Sequence, residues 1–335
     1  MTATLAAPRA PSPTSSSAAP SELTLFSSGR EIDTSAQVFG TLRRSDDLVP
    51  ALDGAMHGVA VSQETVAELR ARMGQDGYLY LPGYLNRESV LEARDEVTRR
   101  LANEGFLDAR YPAIDSVAAE GCKLKFKPDL AKGNEPLQRL LYAGPTMAFF
   151  RAFLGGEVLH FDYTWMRAVS PGKGTRPHGD IVFMGRGTPN LYTAWTPLGD
   201  ISLEQGGLMI LEGSHRLDRV HATYSKQDVD AYCVNYPTAE QYVSGQKKGF
   251  AGYISTNPVR LREKMHSRWL TNPFAAGDLL VFGMFTLHCS LDNQSRRIRL
   301  SSDSRYQRAS EPADHRWIGE NPIGHSLAGK HGRIC

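Results

Sequence analysis

An α+β domain built on a β-sandwich or barrel is the fold class that this chain of 335 residues predicts. Two observations carry that reading. Apolar residues at helical spacing are confined to the first half, and short apolar runs punctuated by Gly and Pro fill the second. The length agrees, because one domain of roughly 250 residues plus peripheral segments can bury a large core.

Apart from Met1 and Leu5, residues 1–21 are Ala, Pro, Ser and Thr with a single Arg9. Such a composition cannot bury apolar surface and predicts a disordered arm. No continuous apolar stretch follows a basic start, so a secretory signal is not expected, and one Arg argues against a transit peptide. Residues 22–61 read as an irregular N-terminal segment. A helix then opens at Ser62, with Val66, Leu69 and Met73 on one face and Gly74 as its end. Gly77 to Gly83 reads as a short strand closed by a turn. Ser89-Val90-Leu91-Glu92 forms a capping box for a second helix, whose inner face is Val90, Ala93, Val97 and Leu101. A third helix spans Thr146 to Leu154 and stops at Gly155-Gly156.

Strands follow. They are Val158–Met166, Ile181–Met184, Leu191–Thr196 and Gly207–Leu211, the last leading into the turn Glu212-Gly213-Ser214-His215. Arg216 to Arg268 is polar and helix-prone in places, an insertion (216–268) in the strand series. Strands resume at Asp278–Phe282, Phe285–Ser290 and Ile298–Ser302. The predicted domain is therefore 62–310, with 311–335 as a C-terminal tail.

The charge balance, 38 basic against 36 acidic residues and a net charge of +2, gives no support to a nucleic-acid partner. No apolar run approaches the roughly 18 residues of a membrane helix, so no membrane partner is expected. Four cysteines without CxxC spacing read as free thiols in a reducing, cytoplasmic setting. Oligomeric state leaves no trace in the sequence.

The chemistry concentrates in two stretches. In Arg176-Pro177-His178-Gly179-Asp180, an imidazole and a carboxylate two residues apart share one side of an extended strand. Such a pair can hold one edge of a divalent metal; the bland alternative is a solvated turn. About a hundred residues on, the buried strand from Gly277 delivers Leu287-His288-Cys289-Ser290, where His288 is either a third ligand or a core histidine bonded to backbone. In Arg297-Ile298-Arg299-Leu300-Ser301, the two Arg and Ser301 face one way. Inward cations there need an anion, and a solvated Arg face is the alternative.

Taken together, His178-x-Asp180, His288, Arg299 eleven positions later and Ser301 resemble the iron(II)- and 2-oxoglutarate-dependent oxygenases. The phytanoyl-CoA dioxygenase-like branch is the most similar. Gly77-Tyr78-Leu79-Tyr80-Leu81-Pro82-Gly83, Trp195-x-Pro197-Leu198, Gly213-Ser214-His215 and Asp303-x-Arg305-Tyr306-Gln307 extend the resemblance from about residue 63 to 310. It implies a double-stranded β-helix (jelly roll, cupin-like) core with flanking N-terminal helices, and His178, Asp180 and His288 as catalytic iron ligands. Two His and one carboxylate on one face of an octahedron leave three positions open. By the resemblance, 2-oxoglutarate takes two and dioxygen the third. Its distal carboxylate suits the planar fork of Arg299, with Ser301 and Ser290 bonding the same cosubstrate. Arg297 is the alternative if the register slips.

Weaker candidates surround these. Lys123, Lys125 and Lys127 alternate as one strand face, from which Lys125 or Lys123 either reaches the cosubstrate or is simply solvated. Trp195 flanks the cosubstrate or fills the core, and His215 reads as structural. Tyr163, Trp165 and Met166 line a substrate pocket or pack the barrel. The expected activity is oxidation, in the first place hydroxylation, of an unactivated C–H bond in a small, largely apolar metabolite. A halogenase would need a small residue at Asp180. The alternatives are a non-catalytic jelly-roll binding module and a cupin-like metalloenzyme without 2-oxoglutarate.

Overall fold

The computed structural model describes residues 23–56, 61–247 and 249–335. The arm expected at 1–21 lies outside them. Within 23–56, strands β1 (Phe26–Ser27) and β2 (Arg30–Glu31) form a hairpin through Ser28 and Gly29, both with positive φ. β3 (Phe39–Gly40) and helix α1 (Val49–Met56) follow. The rest of this segment is largely irregular, as expected.

Helix α2 (Gln63–Asp76) is capped by Ser62, which accepts from the Thr65 amide. It runs through Gly74 and ends at Gly77, whose φ of 78° supplies the left-handed cap. Strand β4 (Tyr78–Leu81) comes next. Helix α3 (Arg87–Asn103) buries Val90, Ala93, Val97 and Leu101 as its spacing predicts. Its cap is Asn86 rather than Ser89, because the Asn86 carboxamide already accepts from the Ser89 amide. Helices α4 (Glu135–Tyr142) and α5 (Gly144–Leu154) complete the helical layer.

The run predicted as one strand at 158–166 is two, β5 (Val158–His160) and β6 (Trp165–Val169). Ile181–Met184 is a single helical turn, α6, not a strand. β7 (Tyr192–Pro197) and β8 (Leu208–Leu211) follow. The insertion carries α7 (Asp218–Ala222), β9 (Ala231–Cys233), α8 (Ala239–Val243) and α9 (Pro258–Met265). β10 (Trp269–Leu270), β11 (Leu279–Gly283), β12 (His288–Ser290), β13 (Arg299–Arg308) and, in the tail, β14 (His331–Arg333) close the chain.

Two sheets make the core. One has the order β4-β11-β7-β13-β5, with β6 also on β13; the other has the order β12-β8-β10-β3. Side-chain alternation sorts them into layers. Leu79, Leu81, Ala194, Leu279, Val281, Leu300 and Tyr306 pack under the helices. Tyr78, Tyr80, Trp195, Leu280 and Phe282 turn the other way, onto Leu208, Ile210 and Leu270 of the second sheet. Met209 and Leu211 of β8 face outward and are covered by the insertion through Val220, Tyr224 and Leu261. The order is helices, long sheet, short sheet, insertion.

The tail lies against the insertion. β14 pairs in parallel with β9, and Cys233 and Cys335 form a disulfide across a sequence separation of 102. This corrects the expectation of four free thiols: Cys122 and Cys289 are free, and the other two are bonded. Among the described residues no helix is long and apolar enough to cross a membrane.

Candidate metal centre

His178 and His288 meet because they are opposed residues of an antiparallel bridge. Each backbone amide donates to the other's carbonyl, at 3.0 and 2.8 Å, and the ring centroids lie 4.2 Å apart. Asp180 arrives differently. The chain leaves the bridge at Gly179, where a Cβ would crowd Leu287, the Met284 carbonyl and the Tyr224 ring. Asp180 then starts α6 with helical φ and ψ. Strand alternation therefore does not align the pair as the sequence suggested; a bridge followed by a helical turn does.

Ligand atoms of His178, Asp180 and His288 all lie within 4.8 Å of one another, and all three residues are buried. The His178 Nδ1 is 2.8 Å from the Arg176 carbonyl and the His288 Nδ1 is 3.0 Å from that of Thr286. Those contacts hold the protons on Nδ1 and leave both Nε2 lone pairs facing the centre. Burial, and then the neighbouring His288, lowers the His178 pKa to about 3; burial lowers that of His288 as well. Both imidazoles are neutral, the form a metal takes.

At a helix start an Asp usually caps amide groups, but Asp180 caps none. Its Oδ2 instead accepts from the Thr193 hydroxyl at 2.5 Å and from Arg305 Nη2 at 3.0 Å. Burial pushes the carboxyl up, but the Arg305 charge and the Thr193 hydroxyl pull it down, and it is held below the usual carboxylate range. The second oxygen, Oδ1, points to the His288 Nε2 at 3.8 Å. Arg305 itself stacks on the Trp165 ring, 4.2 Å from its centroid.

Arg299 lines a small cavity together with His178, His288, Trp195, Ser290, Arg167 and Asp303. It is 1% exposed; its Nη1 donates to the Gly206 carbonyl at 2.9 Å, while Nε has no partner among the described residues. Ser301, on the same face of β13, has a buried hydroxyl without a partner. Burial lowers the Arg299 pKa to about 10, so it stays charged at neutral pH. A buried, half-satisfied cation beside an unpaired hydroxyl fits an anion that spans from Arg299 to the metal.

The other candidates separate. Arg297 is half-exposed and pairs with Asp115, which excludes the slipped register. The Ser290 hydroxyl lines the cavity but accepts from the Thr175 amide. Lys123, Lys125 and Lys127 lie on no strand; Lys125 is exposed and does not line the cavity, and Lys127 pairs with Glu104 and Asp129. Trp195 both lines the cavity and packs on Phe274. His215 contacts the Gly74 carbonyl from above Gly77, a structural position. Tyr163 and Trp165 pack with Trp317, whereas Met166 is core. Sequence reasoning gave no role to Thr193, Arg305, Arg167 or Asp303. Arg305 had a signal, being six positions beyond Arg299 on the same strand face; Thr193 had none.

Residues 60–301 match the family Phytanoyl-CoA dioxygenase (PhyH). The chain is 26% identical over 260 residues to the 1-deoxypentalenic acid 11-beta-hydroxylase of Streptomyces exfoliatus, covering 70% of this chain and 79% of the relative. The Streptomyces arenae enzyme of the same name is 27% identical over 250 residues, with the same coverage. Among solved structures, the epimerase SnoN in complex with Fe3+, alpha ketoglutarate and nogalamycin RO superposes with TM-score 0.52 at 22% identity, over 78% of this chain and 94% of that one. EctD from S. alaskensis, with 2-oxoglutarate and 5-hydroxyectoine, gives 0.52 at 16% identity, over 90% and 93%. These last two are likenesses of fold. The chain belongs to the phytanoyl-CoA dioxygenase family and is an iron(II)- and 2-oxoglutarate-dependent dioxygenase.

Proposed function

We propose that this dioxygenase hydroxylates an unactivated C–H bond of a small, largely apolar metabolite, within a jelly-roll domain spanning 62–310. His178, Asp180 and His288 hold iron(II), and Arg299 with Ser301 receives the distal carboxylate of 2-oxoglutarate. The observation that carries this is a cavity lined both by His178 and His288, two of the three clustered donor groups, and by the under-satisfied buried Arg299 guanidinium. Iron(II), 2-oxoglutarate and dioxygen together supply an oxidant able to take hydrogen from such a bond, with succinate and carbon dioxide as coproducts.

The chain's own part is positioning. Thr193 and Arg305 fix one oxygen of Asp180 so that the other is presented to the metal. The Arg176 and Thr286 carbonyls orient the two imidazoles. Arg299 neutralises the cosubstrate's far charge in a site where that charge would be costly unpaired. The hydroxylases named above support hydroxylation over other outcomes, and the acid in their name supports a small-molecule substrate. We place the enzyme in the cytoplasm, without nucleic-acid or membrane partners.

Anaerobic titration of iron(II) and then 2-oxoglutarate tests this. The expected result is a visible metal-to-cosubstrate absorbance that requires both, and succinate release on admitting oxygen. Iron binding without any effect of 2-oxoglutarate would instead favour a cupin-like metalloenzyme.

A further inference from the structure

A second cavity, of about 530 Å³, lies between the insertion and the C-terminal tail. Its walls are mainly Phe183, Val229, Tyr232, Tyr242, Phe250 and Leu327. That size suits a small organic molecule buried over most of its surface. It adjoins the metal centre through a single ring: Phe183 lines the cavity and meets the His178 imidazole edge-on, with centroids 5.5 Å apart. The insertion is tied to the same loop, since the Ile254 amide donates to the Pro177 carbonyl and Tyr224 bridges Gly179 and Gly252. Gly252, at φ 81°, leaves the space that the Phe183 ring fills; a Cβ there would collide with it.

Two further observations say what such a cavity takes. Seven of the eleven exposed large hydrophobic side chains among the described residues lie in 234–253 and 323–334, the two segments that supply much of its lining, and Leu327 lines it directly. Exposed apolar surface gathered at one place marks a binding region. Lys247 lines the same cavity, its ammonium 5.2 Å from the Tyr242 ring centroid, with no carboxylate partner among the described residues. The other lining cation, Lys330, is already matched by Asp230 at 2.9 Å.

We propose that this cavity is the site for the oxidisable substrate, that it takes a largely apolar molecule bearing one carboxylate, and that the Cys233–Cys335 bond holds its outer wall closed. The inference rests on the oxygenase reading above and assigns that enzyme its substrate class. Phe183 stands between the cavity and His178, so the reacting carbon reaches the metal past this ring. The tail is a wall of the site rather than an appendage, because Leu327 and Lys330 line it and β14 is bound to β9 beside it.

The test uses the full-length protein with 1-adamantanecarboxylate and its neutral carboxamide as probes, bound to the iron(II) and 2-oxoglutarate complex and read by ligand-detected NMR. The carboxylate is expected to bind at least threefold more tightly than the carboxamide, and Lys247→Gln to remove that preference. Ala251→Trp, which fills the cavity, should abolish binding. Cys335→Ser, or reduction of the unmutated protein with dithiothreitol, should weaken it at least threefold. In all of these the iron and 2-oxoglutarate absorbance should be unchanged. Equal binding of both probes, or carboxylate binding indifferent to Ala251→Trp and to reduction, overturns the assignment while leaving the oxygenase reading intact. Failure of the unmutated protein to form the iron and cosubstrate complex overturns that reading instead, and this assignment with it.

Discussion

Two buried aspartates, Asp180 at 2% exposure and Asp230 at 1%, are used in opposite ways. Asp230 is saturated. Its carboxylate receives Arg316 at 2.5 Å, His325 at 2.7 Å and Lys330 at 2.9 Å, and so binds tail to insertion. Asp180 receives two donors on one oxygen and leaves the other directed at His288. A structural carboxylate has every lone pair claimed by the protein, whereas one meant for a ligand is held by half and kept open by half. The same contrast separates Arg316, fully engaged by Asp314 and Asp230, from Arg299, whose Nε has no partner.

Replacing each aspartate should break the comparison most visibly. Asp180→Ala is expected to abolish iron binding and succinate formation, as are His178→Ala and His288→Ala, each with the circular dichroism of the folded chain retained. Full turnover in those variants would show that the three residues hold no metal. Asp230→Ala should leave iron binding intact but cost about 3–5 kcal/mol in denaturant unfolding, because Lys330 and Arg316 lose a buried counter-charge. Acid should act on the same carboxylate. Burial raises its pKa, but bonds from His325 and Lys330 lower it further, so the folded value lies below the unfolded one. Its stabilisation is therefore present above about pH 4 and is lost as pH falls below that. A pH series of melting temperatures should show a loss below about pH 4 in the unmutated chain that is smaller in Asp230→Asn.

The arginines sharpen the contrast at lower amplitude. Arg299→Lys keeps the charge but replaces a fork with a point, and 2-oxoglutarate affinity should fall by about 1–3 kcal/mol while iron binding survives. Arg297→Lys, at the surface beside Asp115, should shift either quantity by about 0–1 kcal/mol. If Arg297→Lys weakens cosubstrate binding and Arg299→Lys does not, the cosubstrate lies elsewhere.

What was legible in the sequence was local. The apolar stripe of α3, the continuous apolar run of β11 and the alternation of β13 appear in the structure, because such patterns record how side chains divide between faces and layers. The errors come where distant contacts overrule short-range preference. Ile181-Val182-Phe183-Met184 has strand-forming residues, but the Ile181 amide is claimed by the Met284 carbonyl and the segment turns into helix. Gly74 stands in open space, so α2 continues through it at a cost of about 1 kcal/mol and stops only at Gly77. Thr193 could not be foreseen, since its hydroxyl matters only once β7 lies beside β13. Nor could the Cys233–Cys335 pair, because spacing alone does not determine pairing.

β13 bears on how the gene can change. Arg299, Ser301, Asp303 and Arg305 sit at even intervals on one face of one strand, while Leu300 among them and Tyr306 just beyond face the helices. The strand works as a ruler: at about 3.4 Å per residue it sets roughly 20 Å between Arg299 and Arg305, the cation behind Asp180. Inserting or deleting one codon between 299 and 305 would reverse the facing of every mark beyond it, sending one of the two guanidinium groups into the apolar layer under the helices. Substitutions along this strand can be tried one at a time, but its length cannot change by one, and lineages of this enzyme should vary in the insertion and tail while keeping that interval.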